Sequence, residues 1–149
     1  MTTTAPRADG RVVALAHHAA RARLERVLTR HGITFHQSVT LRAVVAAGGS
    51  AGRDELVDDV VGSLKTEASV VAGVIGELTS AKLLEADPAD PKRVRLTDSG
   101  RELYEATSAE SAQVTARLYA GLTDEELEVT GRVLTLITER ANAELAAEA

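Results

Sequence analysis

The side chains in this sequence that carry usable chemistry are few, and most of them are cations. Arg93-Val94-Arg95-Leu96-Thr97 alternates charged and apolar residues, with Lys92 just before it. Such alternation marks a strand with one face in the core and one in water. Val94 and Leu96 then face inward, and Arg93 and Arg95 outward. Arg53 and Lys65 stand upstream at candidate helix ends. Guanidinium and ammonium groups collected on one surface hold phosphates, although Arg93 or Arg95 taken singly is better read as the solvated face of a strand. The four histidines do not converge: His17 and His18 are adjacent on a helix and so point about 100° apart, and His31 and His36 straddle Gly32. With no cysteine to support them, neither a metal site nor a cofactor is expected.

Catalytic patterns are missing. Gly48-Gly49-Ser50-Ala51-Gly52 has no lysine and no helix context for a phosphate loop, and reads as a connector. Asp58-Asp59 and Glu125-Glu126 read as solvated helix faces and caps, so the chain is expected not to be an enzyme. Absence of cysteine also removes disulfides and thiol redox chemistry. The polar start, Met1 to Gly10, has no apolar centre of a leader, and no apolar run approaches the roughly 20 residues of a membrane span. A cytoplasmic protein without membrane contact is the expectation. The net charge of −5 argues at first against a nucleic-acid partner. Its distribution qualifies that: residues 1–50 hold seven Lys and Arg against two acids, and the acids dominate the remainder. Binding to DNA needs a local basic surface, not a basic whole.

The elements that must position these residues are mostly helical. Val13, Ala16, Ala20, Leu24 and Val27 recur at steps of three and four and predict a helix over 11–31, with Gly32 ending it. A second helix runs from Thr34 to Ala47, and the glycines after it break the chain. A third covers roughly 53–64. A short turn at Lys65-Thr66, with Thr66 as N-cap, leads to a fourth ending near Lys82, its inward face Val71, Val74, Ile75 and Leu78. Leu83 to Asp87 and 93–97 then form a β-hairpin around Pro88-Ala89-Asp90-Pro91-Lys92, where Asp90 is explained by turn chemistry or by pairing with Arg93. A long helix starts at Thr97 or Asp98 and runs to about Ala120. Thr123 and Glu126 form a capping box for the last helix, which carries Leu127, Leu134 and Ala141 on one edge and Val129, Val133 and Leu136 on another. Two apolar edges require a second neighbour, and a partner chain supplies it.

Helix, tight turn, helix and hairpin over 53–97 is the arrangement in which a second helix enters the major groove and the first braces it. Here the sequence resembles the MarR family of winged helix-turn-helix regulators. Leu83-Leu84-Glu85, the turn with Asp90, and Arg93-Val94-Arg95-Leu96-Thr97-Asp98-Ser99-Gly100 carry the resemblance, which extends over nearly the whole chain. It implies a mainly α fold with a small β-hairpin wing, in one domain over 1–149. Residues 34–97 would be the winged helix-turn-helix part, with 66–82 as recognition helix and 83–97 as wing. Residues 11–31 and 98–146 would be dimerisation helices. It further implies a sequence-specific transcriptional regulator, a ligand-responsive repressor, that binds double-stranded DNA as a homodimer. A small-molecule effector would sit in the crevice between the dimerisation and DNA-reading parts, where the end of the first helix meets the start of the second; His17, Arg21 and His36 are the candidates there.

The recognition helix departs from the usual pattern. It holds no Lys or Arg between Lys65 and Lys82, so it cannot make the arginine–guanine contact from its centre. Lys82 stands where a glycine is common in the family. Either small residues let the helix sit close to the duplex, or DNA binding is weak or lost and the scaffold serves as a helical dimerisation or protein-interaction module. In the first reading Ser69 and Val70 contact base edges and thymine methyls, Arg53, Lys65, Lys92, Arg93 and Arg95 hold phosphates, and Thr66 and Gly73 complete the DNA-binding set.

Overall fold

The computed structural model describes residues 4–149. Met1 to Thr3, the first residues of the polar N-terminal stretch in which no leader is expected, lie outside the described residues. The chain divides into two compact units, Met1–Val114 and Thr115–Ala149.

In the first unit the order is α1 (Gly10–Arg30), α2 (Phe35–Ala46), β1 (Ser50–Gly52), α3 (Arg53–Leu64), α4 (Ala68–Ser80), β2 (Leu84–Asp87), β3 (Asp90–Leu96), and then α5 (Asp98–Leu118), which continues past the unit's boundary. The three strands form an antiparallel sheet in the order β1-β3-β2. One core joins Val39, Leu41 and Val44 of α2, Leu56 and Val60 of α3, the α4 face Val71, Val74, Ile75 and Leu78, and Leu84, Val94 and Leu96 of the sheet. The periodicity of α4 and the alternation of β3 therefore mark the buried face correctly, whereas the spacing read for α1 does not: of Val13, Ala16, Ala20, Leu24 and Val27 only Val27 is buried.

Local chemistry sets the helix ends. Asp9 caps α1, its side chain accepting from the amide of Val12 at 2.9 Å. Thr34 caps α2 in a reciprocal box with Gln37. At the C-termini a Schellman motif recurs: the Gly32 amide donates to the Thr29 carbonyl and the Ile33 amide to that of Leu28, and Gly48 and Gly49 repeat this on Val45 and Val44. The same pattern ends α4, where the Lys82 amide donates to Thr79 and the Leu83 amide to Leu78. Here the left-handed residue is a lysine, with φ of 60° against 74° at Gly32 and 90° at Gly48. At the end of α1, Glu110 of α5 accepts from Arg30 at 3.0 Å and lies 3.3 Å from the His31 imidazole. Those contacts hold its carboxyl below the ordinary value, the Arg30 bond contributing most and partial burial opposing it.

Three sequence expectations need correction. Ser50–Gly52, read as connector, is strand β1, with Ala51 opposite Val94 and Gly52 opposite Arg93. Ser-Ala-Gly has no strand propensity of its own, and the pairing with β3 creates the strand. The hairpin is also tighter than expected: β3 starts at Asp90, leaving Pro88-Ala89 between the strands. Finally, Thr66 is not the cap of α4. Lys65 takes the left-handed conformation (φ 54°), the chain then runs extended, and Glu67 occupies the N-cap position without a side-chain capping bond.

In the second unit the end of α5 turns through Gly121 (φ 82°) into α6 (Asp124–Glu148). The Thr123–Glu126 capping box is present in both directions. No residue of α6 is buried, and Val129, Leu134, Leu136, Ile137 and Leu145 are exposed. No helix among the described residues is long and apolar enough to cross a membrane.

Candidate nucleic-acid interface

Helix α4 is held by its apolar face and presents the other. Val71, Ile75 and Leu78 are almost wholly buried in the core shared with α2, α3 and the sheet, which leaves Ser69, Val70 and Gly73 exposed on the outer side. Val70 is 45% exposed. Gly73 and Gly76 have ordinary helical backbones, and a Cβ at either would meet nothing within 4 Å. Nothing inside the protein therefore requires glycine there, although each costs the helix about 1 kcal/mol relative to alanine.

The turn before α4 is tied back onto α3. The Lys65 amide donates to the Val61 carbonyl at 2.9 Å, and its ammonium donates to the Gly62 carbonyl at 2.6 Å. This cation thus caps the end of α3 while remaining exposed. Thr66 is half-buried, and Arg53 is exposed in the first turn of α3.

The wing arginines are more engaged than their alternation suggests. Arg95 is exposed and donates from Nε to Glu85 at 2.8 Å, directly across the β2–β3 ladder. Arg93 is half-buried. Its Nε donates to Ser50 Oγ at 3.3 Å and a terminal nitrogen to the Ser50 carbonyl at 3.1 Å. Ser50 in turn donates its hydroxyl to Asp87 at 3.2 Å, and the Ala89 amide donates to the same carboxylate at 2.9 Å. The Asp87 carboxyl lies below its ordinary value, chiefly through the Ala89 amide; burial opposes this, and Ser50, Arg95 and Arg93 add to it. Asp90 accepts from the Lys92 amide at 3.0 Å and does not pair with Arg93: a short carboxylate in a turn bonds its own backbone two residues on. The Lys92 side chain is exposed.

Of the ligand candidates, Arg21 and His36 are gathered around one ring. The Arg21 guanidinium lies 4.1 Å from the centroid of Phe35, a cation–π geometry. It is also bonded to Glu25 at 3.1 Å, and His36 meets the same ring edge-on at 6.2 Å. His17 is exposed on α1 and meets His18 at 5.4 Å. Phe35 escaped the sequence reading, though as the single phenylalanine of the chain it was a signal. Ser50 and Glu85, the partners of the wing arginines, carried none. A concavity of about 310 Å³ lies elsewhere, between the end of α2, β1 and α3, with Arg93, Glu55 and Asp59 on its wall.

The sequence matches no protein-family model and no curated protein. Solved structures do match. The MepR–DNA complex of S. aureus is 24% identical with a TM-score of 0.70, over 87% of this chain and 94% of that one. CouR from Rhodococcus jostii RHA1, bound to p-coumaroyl-CoA, is 17% identical with a TM-score of 0.74, over 85% and 89%. The oxidised form of MarR from E. coli is 19% identical with a TM-score of 0.68, over 89% and 96%. Together with the three-stranded sheet and the α3–turn–α4 pair, these likenesses give the chain the winged helix-turn-helix fold of the MarR-family regulators.

Proposed function

We propose that this protein is a cytoplasmic, sequence-specific transcription regulator, a ligand-responsive repressor that binds double-stranded DNA as a homodimer. The observation that carries the reading is α4 itself: firmly seated on one side, bare on the other, and flanked by a β2–β3 wing with cations. Ser69, Val70 and Gly73 would face base edges, with Thr66 and Lys65 at the entry of the helix. Arg53, Lys92, Arg93 and Arg95 would hold phosphates. The Arg95–Glu85 bond does not oppose this, because an exposed ion pair is worth about 0–1 kcal/mol and a DNA phosphate competes with it readily. Residues 34–97 form the DNA-reading part in this scheme, and 11–31 and 98–146 the dimerisation helices. The similar structure of MepR holds DNA and that of CouR holds p-coumaroyl-CoA, which supports both a duplex and a small-molecule effector here, the latter near His17, Arg21 and His36.

A second reading rests on a specific observation: α4 has no cation among its own residues, and Arg93 is spent on Ser50. The fold would then serve as a dimerisation or protein-interaction module. A gel shift with the DNA upstream of its own gene separates the two. Binding that survives competitor DNA and falls steeply with salt supports the regulator; no retardation at low salt supports the module. For the regulator, Arg93→Ala combined with Arg95→Ala lowers affinity alike for every sequence and flattens the salt dependence. Unchanged affinity would remove the wing from the interface.

A further inference from the structure

The outer face of α4 has an unusual hydrogen-bonding inventory. From Thr66 to Gly76 the polar side chains are Thr66, Glu67 and Ser69. The two hydroxyls both donate and accept, so they suit any base. Glu67 only accepts. It is exposed, it makes no capping bond although it occupies the N-cap position, and it enters none of the ion pairs among the described residues. The other carboxylate of this helix region is different: Glu77 accepts from the Gln37 side chain at 2.8 Å and is thereby held toward α2. Glu67 stands at the N-cap, immediately before the first helical residue Ala68, at the front of the helix whose first turn carries the exposed Ser69 and Val70; in a helix-turn-helix the N-terminal residues of the second helix are the ones that contact base edges.

We propose, resting on the DNA-binding reading above, that Glu67 is the specificity-determining residue of the interface and reads the N4 amino group of a cytosine in the major groove. A carboxylate repels phosphates, so it adds nothing to general affinity; at a helix front it complements the helix dipole, and toward the major groove it can accept only where a base offers a donor. Cytosine presents its N4 amino group there as a donor with no acceptor of its own beside it, adenine sets its N6 donor next to the N7 acceptor that repels a carboxylate, and guanine presents two acceptors, N7 and O6. The bare backbone at Gly73 leaves room for the helix to approach closely enough for such a contact. The exposed Val70 one turn on suits a thymine methyl group.

The test is selection of bound duplexes from a random-sequence pool by wild type, Glu67→Gln and Glu67→Ala, followed by anisotropy titration with the selected duplexes. Far-ultraviolet circular dichroism confirms that the exposed substitutions leave the fold intact. Wild type is expected to select one invariant cytosine in each half-site and to lose about 10- to 100-fold in affinity when it is replaced. Glu67→Gln moves that position to adenine, since an amide pairs with its N6 and N7, and Glu67→Ala leaves it unspecified with the remaining positions unchanged. Identical motifs for all three proteins, or a change in affinity equal for every sequence, overturn the assignment of Glu67 while leaving DNA binding standing. Failure of wild type to enrich or retard any duplex at low salt overturns the DNA-binding reading, and this inference with it.

Discussion

Thr97 and Gly100 show how single residues hold the strand-to-helix junction. The Thr97 hydroxyl donates to the Lys82 carbonyl at 2.7 Å and accepts from the Gly100 amide at 3.0 Å. It thereby joins the turn after α4 to the start of α5. Gly100 is buried, and a Cβ there would overlap the Leu83 carbonyl oxygen and press on Leu96. Backbone atoms cannot give way as a flexible side chain does, so Gly100→Ala is expected to lower stability by about 2–3 kcal/mol. Lys82 is the opposite case. It holds the left-handed position that glycine fills in the other Schellman turns, at a cost of roughly 1–2 kcal/mol for a residue with a Cβ. Lys82→Gly should therefore raise stability by about 1 kcal/mol after the extra entropy lost by glycine. Urea denaturation of both variants checks the two signs together.

At the scale of elements, the wing is held to β1 by a chain of polar contacts running from Arg93 through Ser50 to Asp87 and on to the Ala89 amide. Because these contacts favour the ionised carboxylate, the native Asp87 titrates below its ordinary value of 3.8. Its contribution to stability is fully present above that value and disappears as pH falls through the lower native value. Acid should therefore loosen the loop at Pro88-Ala89 in that window. In Asp87→Asn the Ala89 amide should show no such step when followed by NMR through an acid titration. The α4 helix illustrates a different balance. Four buried apolar side chains hold it in place, which lets it tolerate two interior glycines that weaken its intrinsic helicity.

For the whole molecule, the informative surface is apolar and uncovered. Helix α6 buries none of its residues, and Leu134, Ile137 and Leu145 are 38%, 48% and 52% exposed. In α1, Leu15, Ala16 and Ala20 of the N-terminal half are exposed as well, although Val27 and Leu28 near its end are buried. Apolar faces of this extent are the raw material of a helical interface between two chains. The protein is expected to elute with the mass of a dimer in size exclusion with light scattering. Leu134→Arg with Ile137→Arg should shift it to the monomer and weaken its retention of DNA, since two half-sites need two linked reading helices. A dimer of undiminished mass in that double variant would exclude this face of α6 from the interface.

Much of this architecture was legible from the chain alone, because its signals are local. The apolar spacing of Val71, Val74, Ile75 and Leu78 marks a helix face, the alternation around Val94 marks a strand, and Thr123 with Glu126 announces a helix start. What lay beyond the sequence depends on neighbours distant along the chain. Ser50–Gly52 is a strand only because β3 offers it hydrogen bonds. The Arg93 guanidinium is engaged because Ser50, 43 residues away, lies on the neighbouring strand. Glu67 and Glu77 look alike in sequence, yet only the packing of α2 beside α4 gives Glu77 a partner, while Glu67 has none among the described residues. Short-range periodicity fixes which side of an element is buried, whereas the engagement of a polar side chain is decided by long-range contacts that no local pattern encodes.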